Sequence, residues 1–260
     1  MTISRKARPT ALVSLLTTLA AAGCAGHTAP PPATAGAAAT PGLRSPDAIL
    51  ADSVQATGGA AAWQAHQTQH TKMTIGLQGM GMGGPAEHFQ TRTNKSLMIS
   101  TLPGVGQVLE GSNGEVAWSQ DPVNGLRFLD GAEAEQSRIE SAWNPDLSAR
   151  ELYARVETAA GAPAGLECLT LTPRTGSAIR SCYDARTHLQ VSQEGTRATP
   201  QGDIPFRTTL SDWRDFGGVK MPYASETQAG PVTIVTTITA VTFDEPVDDK
   251  MFDPPAPAAP

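Results

Sequence analysis

The sequence predicts a mainly β, α+β fold: an antiparallel sheet of about eleven or twelve strands curled into a half-open barrel, with three or four covering helices. Two observations predict this class. Apolar and polar residues alternate in many short runs, which follow one another at the close spacing of antiparallel strands. Helical patterns stand at the start and in the middle of this series. A sheet of this size must curl to protect its edges.

The first helix has recognisable start and stop signals. Ser45 is suited to cap it, Pro46 fits its first turn, and Asp47 is favourable near the positive end of the helix dipole. The pair Gly58-Gly59 is expected to end it. The other helical segments are predicted at 60–66, 132–143 and 147–156.

The strands are predicted from alternation with a period of two. In 71–79, Met73, Ile75 and Leu77 face one way and polar residues face the other. Before the middle helix, strands are predicted at 71–79, 86–92, 96–100, 106–111, 115–120 and 125–130. After it, strands are predicted at 166–172, 178–184, 189–195, 206–216, 223–228 and 232–243.

Residues 1–23 have the features of a secretory signal peptide. Basic residues precede the apolar run 11–22, which is too short to cross a membrane and ends in small residues. These small residues lead directly to Cys24, and the arrangement resembles the lipobox of bacterial lipoproteins. In that motif the cysteine carries acyl chains, which would anchor the protein to a membrane without a transmembrane helix. The alternative is an ordinary signal peptide followed by an unrelated cysteine.

Composition divides the rest of the chain into a tether, a domain and a tail. Residues 24–45 are rich in Ala, Pro, Gly and Thr, and such a segment buries too little apolar surface to fold. Residues 46–252 are long enough for one domain with a sizeable core, and 253–260 are expected to be disordered. Ala25 differs from the Asp that retains bacterial lipoproteins at the inner membrane. It therefore favours the periplasmic face of the outer membrane.

The charge of the chain argues against nucleic acid as a partner. The sequence has 25 acidic and 19 basic residues, and three of the basic ones lie within the predicted signal peptide. Nucleic-acid phosphates require a basic surface, which an acidic protein does not offer.

Two further cysteines, Cys168 and Cys182, fall on adjacent predicted strands. A turn between them would place the two residues opposite each other in an antiparallel pair. An oxidising periplasm permits a disulfide there, and a redox-active pair is less favoured because no C-x-x-C motif is present.

The sequence contains no motif that identifies a catalytic nucleophile, a cofactor site or a metal site. His66 and His70 stand four residues apart, but HQTQH lacks the glutamate of H-E-x-x-H. The glycine-rich segment 79–85 lacks the Lys-Ser/Thr of a phosphate loop, and the acidic segment 244–253 is expected to be a solvated turn. A binding role without chemistry is therefore favoured over an enzymatic one.

Three segments resemble proteins described as outer-membrane lipoprotein-sorting proteins, related to the LolA/LolB carrier and acceptor of bacterial lipoproteins. They are DPVNGLRFLDGAEAEQ, CYDARTHLQVSQEG and DWRDFGGVKMPYASE. The resemblance implies a half-barrel with a helical lid and an apolar cavity for acyl chains. Acceptors of this type carry an apolar residue on a loop between early strands, and Leu102 and Val105 stand at a comparable place. The alternative is a hairpin whose apolar residues pack inward.

If the curled sheet has a cavity, its lining is expected on the period-two faces of the early strands and on the covering helices. A core residue and a cavity residue look the same in sequence, so each position could be either. The candidates are Met73, Ile75, Leu77, Phe89, Leu97, Ile99, Val116, Trp118 and Ile139.

These observations predict a lipid-anchored envelope protein that holds a lipid or lipoprotein acyl chain, with the membrane contacted through its N-terminal anchor. The alternative is an envelope stress sensor or scaffold that uses the same fold to bind another envelope protein. An open apolar lumen would favour the first function, and a filled lumen with an exposed apolar patch would favour the second.

Overall fold

The computed structural model describes residues 42–256. The predicted signal peptide, Cys24, most of the predicted tether and the last four residues of the predicted tail lie outside the described residues. They remain predictions.

The described residues form four helices, thirteen strands and one 3-10 turn. The helices are α1 (Pro46–Ala56), α2 (Gly59–Ala65), α3 (Gly131–Glu140) and α4 (Ala149–Leu152), and the C-terminal turn covers Asp249–Phe252. The first six strands are β1 (Thr68–Gln78), β2 (Met82–Thr91), β3 (Ser96–Leu102), β4 (Gly106–Ser112), β5 (Ala117–Asp121) and β6 (Gly125–Phe128). The others are β7 (Arg155–Thr158), β8 (Leu166–Thr172), β9 (Ile179–Asp184), β10 (Gln190–Arg197), β11 (Ile204–Phe216), β12 (Val219–Ala229) and β13 (Val232–Phe243).

The start of α1 forms as its sequence signals predict. Ser45 has extended backbone angles, and its side-chain oxygen accepts a hydrogen bond from the Ala48 amide at 3.3 Å. Pro46 occupies the first turn, where a backbone N–H has no partner within the helix, so the missing N–H of proline costs no hydrogen bond. The buried Ile49, Leu50 and Val54 lie on the face that packs against the rest of the domain.

All thirteen strands belong to one antiparallel sheet, in the order β6-β5-β4-β3-β2-β1-β13-β12-β11-β10-β9-β8-β7. The predicted half-open antiparallel barrel is confirmed. One strand more is present than the twelve segments predicted from the sequence. Residues 155–158 pair with β8 as β7, whereas the sequence pattern assigned 147–156 to a helix. The observed helix α4 ends at Leu152 because the next residue, Tyr153, takes extended backbone angles.

The connection between β6 and β7 crosses one side of the sheet. These strands lie at opposite edges, and α3 and α4 stand between them in the chain. Gln90 Nε2 on β2 donates to the carbonyl oxygens of Ser141 and Ala142, at 3.1 and 2.8 Å. The hydroxyls of Ser96 and Ser141 lie 2.7 Å apart. We call the side that carries Gln90 and Ser96 the helix side, and the opposite one the far side.

The main hydrophobic cluster lies on the helix side and joins the helices to β7, β8 and β9. Leu169 is fully buried, and Ile49 of α1 is 2% exposed. Burying such a side chain contributes roughly 1.5–3 kcal/mol to the free energy of unfolding. The cluster consists of Ile49, Leu50, Ile139, Ala142, Ala149, Leu152, Tyr153, Val156, Leu169, Leu171, Ile179 and Tyr183.

A separate cluster lies on the far side, under the C-terminal turn. Phe252 is fully buried against Leu97 and Trp118, and Trp118 Nε1 donates to the Phe252 carbonyl oxygen at 2.9 Å. A Cβ at Gly111 would lie 2.4 Å from the Trp118 ring, so the glycine leaves room for the indole. The prediction of a solvated turn at 244–253 is therefore wrong for its apolar end, which packs on the far-side core.

The predicted disulfide between Cys168 and Cys182 is present. The two residues are direct partners in the β8–β9 register, so the bridge crosses one strand pair. It belongs to a small buried cluster with Ala159, against which Leu166 and Val191 pack.

Candidate functional site

The helix side of the sheet holds three cavities around the C-terminal end of α3, and Glu140 contributes to all three linings. The α3 cavity, about 170 Å³, lies between α3 and strands β9 to β11. The edge cavity, about 250 Å³, lies between α3 and strands β4 to β6. The tryptophan cavity, about 260 Å³, lies between α2, residues 142–146 and strands β10 to β12.

The α3 cavity has apolar walls and a polar rim. Ile139 of α3, Ile179 of β9 and Phe206 of β11 form the apolar part. Ile139 and Ile179 also belong to the main cluster, and Phe206 packs against it, so the cavity continues directly from the core. Gln136 Oε1 accepts a hydrogen bond from the Ala198 amide at 2.7 Å, which joins α3 to the end of β10.

An ion pair separates the α3 cavity from the edge cavity. Arg197 and Glu140 line both, and an Arg197 guanidinium nitrogen lies 2.8 Å from a Glu140 carboxylate oxygen. The Coulomb attraction of Glu140 raises the pKa of Arg197, with Glu110 adding to it. The arrangement keeps the guanidinium charged inside the concave side of the sheet.

Glu110 of β4 lines the edge cavity beside this pair. Its side chain is exposed to solvent, although it lies within the walls of the edge cavity. Desolvation by these walls raises the pKa of Glu110, and the negative charge of Glu140 raises it further. His88 of β2 pairs with Thr71 on the helix side, and burial lowers its pKa to about 4. His88 is therefore neutral at pH 7.

The tryptophan cavity contains three of the four tryptophans of the chain, Trp63, Trp143 and Trp213. Trp63 and Trp143 meet edge to face, with ring centroids 6.3 Å apart. Asp146 in the same lining accepts hydrogen bonds from Ser53 Oγ at 2.6 Å and from the Tyr183 hydroxyl at 2.8 Å. Burial raises the pKa of Asp146, although these two bonds oppose the shift.

Solved structures that are similar to this chain over most of its length include the following two. One is a LolA superfamily protein from Nitrosomonas europaea, with a TM-score of 0.54 and 11% identity, over 81% of this chain and 98% of that one. The other is a DUF1329 family protein from Desulfovibrio piger, with a TM-score of 0.53 and 12% identity, over 79% and 96%. No protein-family model matches the sequence, and no curated protein matches it significantly.

The chain has a LolA/LolB-like fold.

Within this fold, the predicted lining residues of β1 lie on the helix side. Gln69 pairs with Gln90, and the register continues without a shift to Met73, Ile75 and Leu77 at alternate positions. Met73 is buried, while Ile75 and Leu77 are half-buried. Ile139 is buried in α3 and lines the α3 cavity.

Four predicted lining residues lie instead on the far side of the LolA/LolB-like sheet. Phe89, Leu97, Ile99 and Trp118 belong to the cluster closed by Phe252 or pack against it. The reason is the register of the strands. Phe89 pairs with His70 and not with a lining residue of β1, and the two rings stack with their centroids 4.0 Å apart. Leu97 and Trp118 are core positions and Phe89 and Ile99 pack against them, which corrects the prediction that these four residues line the cavity.

The three remaining candidates lie at strand turns. Val116 is 40% exposed in the β4–β5 turn, and Val105 is 36% exposed in the β3–β4 turn. Leu102, the last residue of β3, is half-buried. The structure therefore brings none of the three to the cavities named above.

Most of the cavity residues are not among those predicted from the sequence. Trp143 and Trp213 line the tryptophan cavity, and Arg197 lines the other two. The number of tryptophans was a usable signal, because large aromatic residues are common in binding sites. Their meeting depends on pairing between distant parts of the chain, which composition does not reveal.

Two general features of the described part of the chain complete the site. Within residues 42–256, no helix has the length and apolar character needed to span a membrane. The same residues contain no group of three or more His, Cys, Asp or Glu side chains placed to hold a metal ion.

Proposed function

We propose that this protein is a lipid-anchored envelope protein that binds a lipid or a lipoprotein acyl chain on the helix side of its sheet, without catalysing a reaction. The proposed location is the periplasmic face of the outer membrane, and the proposed role there is in lipoprotein sorting. The observation that carries the proposal is an apolar surface on the two central strands, β1 and β13.

The apolar surface is formed by direct strand partners. Met73 pairs with Ile238 and Leu77 pairs with Ile234, so the aliphatic side chains of both strands share the helix side. Met73 and Ile238 are buried, yet neither belongs to any of the hydrophobic clusters found in residues 42–256. Such side chains suit a flexible hydrocarbon chain, because they adapt in shape and leave no polar group unpaired.

The physical basis of binding would be desolvation. Each methylene group moved from water to this surface contributes about 0.8 kcal/mol, so about fifteen methylenes contribute roughly 12 kcal/mol, which offsets most of the roughly 4–15 kcal/mol lost in motion on binding. The LolA/LolB-like fold supports the proposal, because the resemblance noted in the sequence is to carriers and acceptors of lipoproteins. A lipidated Cys24 would keep the domain close to a source of such chains.

The proposal is tested with a fluorescent fatty-acid probe and the full chain. Ile75→Gln should weaken probe binding about tenfold, because an amide facing a bound hydrocarbon chain costs roughly 1–3 kcal/mol. Thr74→Gln is the matched control: Thr74 is its exposed neighbour on the opposite side of the same strand and should leave binding unchanged.

Two results would contradict the proposal. The first is a wild-type protein that binds no such probe and carries no lipid in native mass spectrometry after purification without detergent. The second is an Ile75→Gln variant that unfolds while Thr74→Gln stays folded, since Ile75 would then be a core position.

A second candidate function, binding of another envelope protein, is favoured by a different observation. The β1–β2, β3–β4 and β5–β6 turns carry exposed apolar side chains: Met80 is 53% exposed, Val105 36% and Val123 85%. Exposed apolar patches on monomers often mark protein contacts. Crosslinking at Val123 to one envelope protein, together with a chain free of lipid, would favour this alternative.

A further inference from the structure

The tryptophan cavity has fixed aromatic walls. Trp63 Nε1 donates to Thr57 Oγ1 at 3.3 Å, Trp143 Nε1 to the Trp63 carbonyl at 2.9 Å, and Trp213 Nε1 to the Gln190 carbonyl at 3.2 Å. Because each indole N–H already has a partner in the protein, the rings offer a ligand only their faces and carbon edges. Such surfaces attract the C–H groups of a ring or an apolar body.

Two glutamines in the polar part of the lining offer hydrogen-bond acceptors. Gln90 is 7% exposed and Gln69 is 4% exposed, and both line the cavity. Gln90 Nε2 donates to two carbonyl oxygens, which fixes the orientation of the amide and leaves its Oε1 as the free end. Among the described residues, no donor bonds to Oε1 of either glutamine, although Gln69 Nε2 donates to Thr71 Oγ1 at 2.9 Å.

These two amide oxygens are not sealed inside the protein. The described residues contain one fully enclosed side-chain polar atom without a partner, and that atom is Thr172 Oγ1. The Oε1 atoms of Gln69 and Gln90 are therefore reached from the cavity that both residues line. Each can accept a hydrogen bond from a donor placed there.

Both carboxyl groups of the lining are already engaged. Asp146 accepts from Ser53 and Tyr183, and Glu140 pairs with Arg197. Lys220 is the remaining charged residue of the lining, so two carboxyl groups face one ammonium group. When Arg197 is counted with its partner Glu140, two cationic groups balance the two carboxyl groups, so the surroundings of the cavity carry no net charge to hold an ionic ligand.

We infer that the tryptophan cavity binds a neutral ring that carries hydroxyl groups, such as one sugar or cyclic polyol unit. Hydroxyl groups supply the donors that Gln69 and Gln90 lack, and the C–H faces of such a ring pack against the tryptophans. The volume of about 260 Å³ is just below the roughly 300–1,000 Å³ of pockets for larger ligands, which suits a single ring. The unit is either a free sugar or the head group of a glycolipid.

This inference does not depend on the proposed acyl-chain function. An acyl chain has no donors for the two amide oxygens, and the apolar surface of Met73, Ile75 and Leu77 forms no part of the tryptophan cavity lining. Binding at the two places is therefore measured with separate probes.

The test titrates the full chain with methyl glycosides of glucose, galactose and mannose and with inositol at millimolar concentrations, followed by tryptophan fluorescence and calorimetry. At least one should bind saturably. Gln90→Leu should weaken that binding about fivefold through loss of the acceptor, and Trp213→Ala about tenfold through loss of the packing surface. Gln78→Leu, at an exposed position of β1, is the matched control and should change nothing.

Gln90 also donates to two carbonyl oxygens just after α3, so the folding of Gln90→Leu is checked by circular dichroism. If Gln90→Leu unfolds, Trp213→Ala alone tests the inference. An octyl glycoside that binds at least tenfold more tightly than its methyl counterpart indicates a glycolipid head group, and equal affinities indicate a free sugar. The inference is overturned if none of the probes binds, or if folded Trp213→Ala binds like wild type. If the fatty-acid probe still binds in that case, the proposed function stands without it.

Discussion

Replacing Phe252 by alanine should strongly destabilise the domain. The side chain is fully buried against Leu97 and Trp118, while its backbone carbonyl accepts the Trp118 indole hydrogen bond. The variant keeps that carbonyl, so the loss is one of packing alone. Truncating a fully buried phenylalanine costs about 3–5 kcal/mol of the free energy of unfolding. For a domain of this size, the melting temperature should fall by about 6–20 °C.

Urea unfolding followed by far-UV circular dichroism measures this change. Asp249→Ala is the control on the same turn, because Asp249 is exposed and its ion pair with Lys95 is worth at most about 1 kcal/mol. A Phe252→Ala variant as stable as the Asp249→Ala control would show that the C-terminal turn does not close the far-side core.

Three further predictions concern other parts of the chain. Replacing Cys168 and Cys182 together by alanine should lower the free energy of unfolding by about 3 kcal/mol, the chain-entropy value for a loop of this length, and an unchanged denaturation midpoint would contradict this. The Asp244 hydrogen bond raises the pKa of His66 and the same bond lowers that of Asp244, so His66→Gln should destabilise more at pH 5 than at pH 9. The reason is that the contribution of a raised histidine pKa is complete below its unfolded value and is lost as the pH rises through the folded one. Equal losses at both pH values, measured by urea unfolding, would refute that assignment. Cys24→Ser should release the protein from membranes and abolish palmitate labelling, and retained labelling would refute lipidation.

The sheet could be predicted largely from alternation, because period two identifies strands and the residues that share a face. It does not identify which face the helices cover. Met73 and Leu97 have equivalent patterns, but the β1–β2 and β2–β3 registers place them on opposite sides. Alternation alone therefore produced a set of lining residues drawn from both sides of the sheet.

Short elements were the least predictable part of the fold. The strand β7 has four residues and directly follows a helical pattern, so local propensity predicted a helix there. In the structure its pairing with β8 makes it a strand. The C-terminal turn was hidden by its acidic neighbours, although Met251 and Phe252 gave a weak apolar signal. In both cases the deciding contacts are with residues far away in the chain.

The order of strands in the sheet also bears on how the chain folds. Of the twelve strand pairs in residues 42–256, eleven join strands that are neighbours in sequence, and β1–β13 joins the first strand to the last. Two meanders, β1–β6 and β7–β13, can therefore form from local contacts, which are fast to make. The pairing of β1 with β13 brings together residues such as His70 and Thr242 and closes most of the chain into one loop. The slowest step of folding is thus expected at this seam, which is also where the proposed lipid-binding surface is assembled.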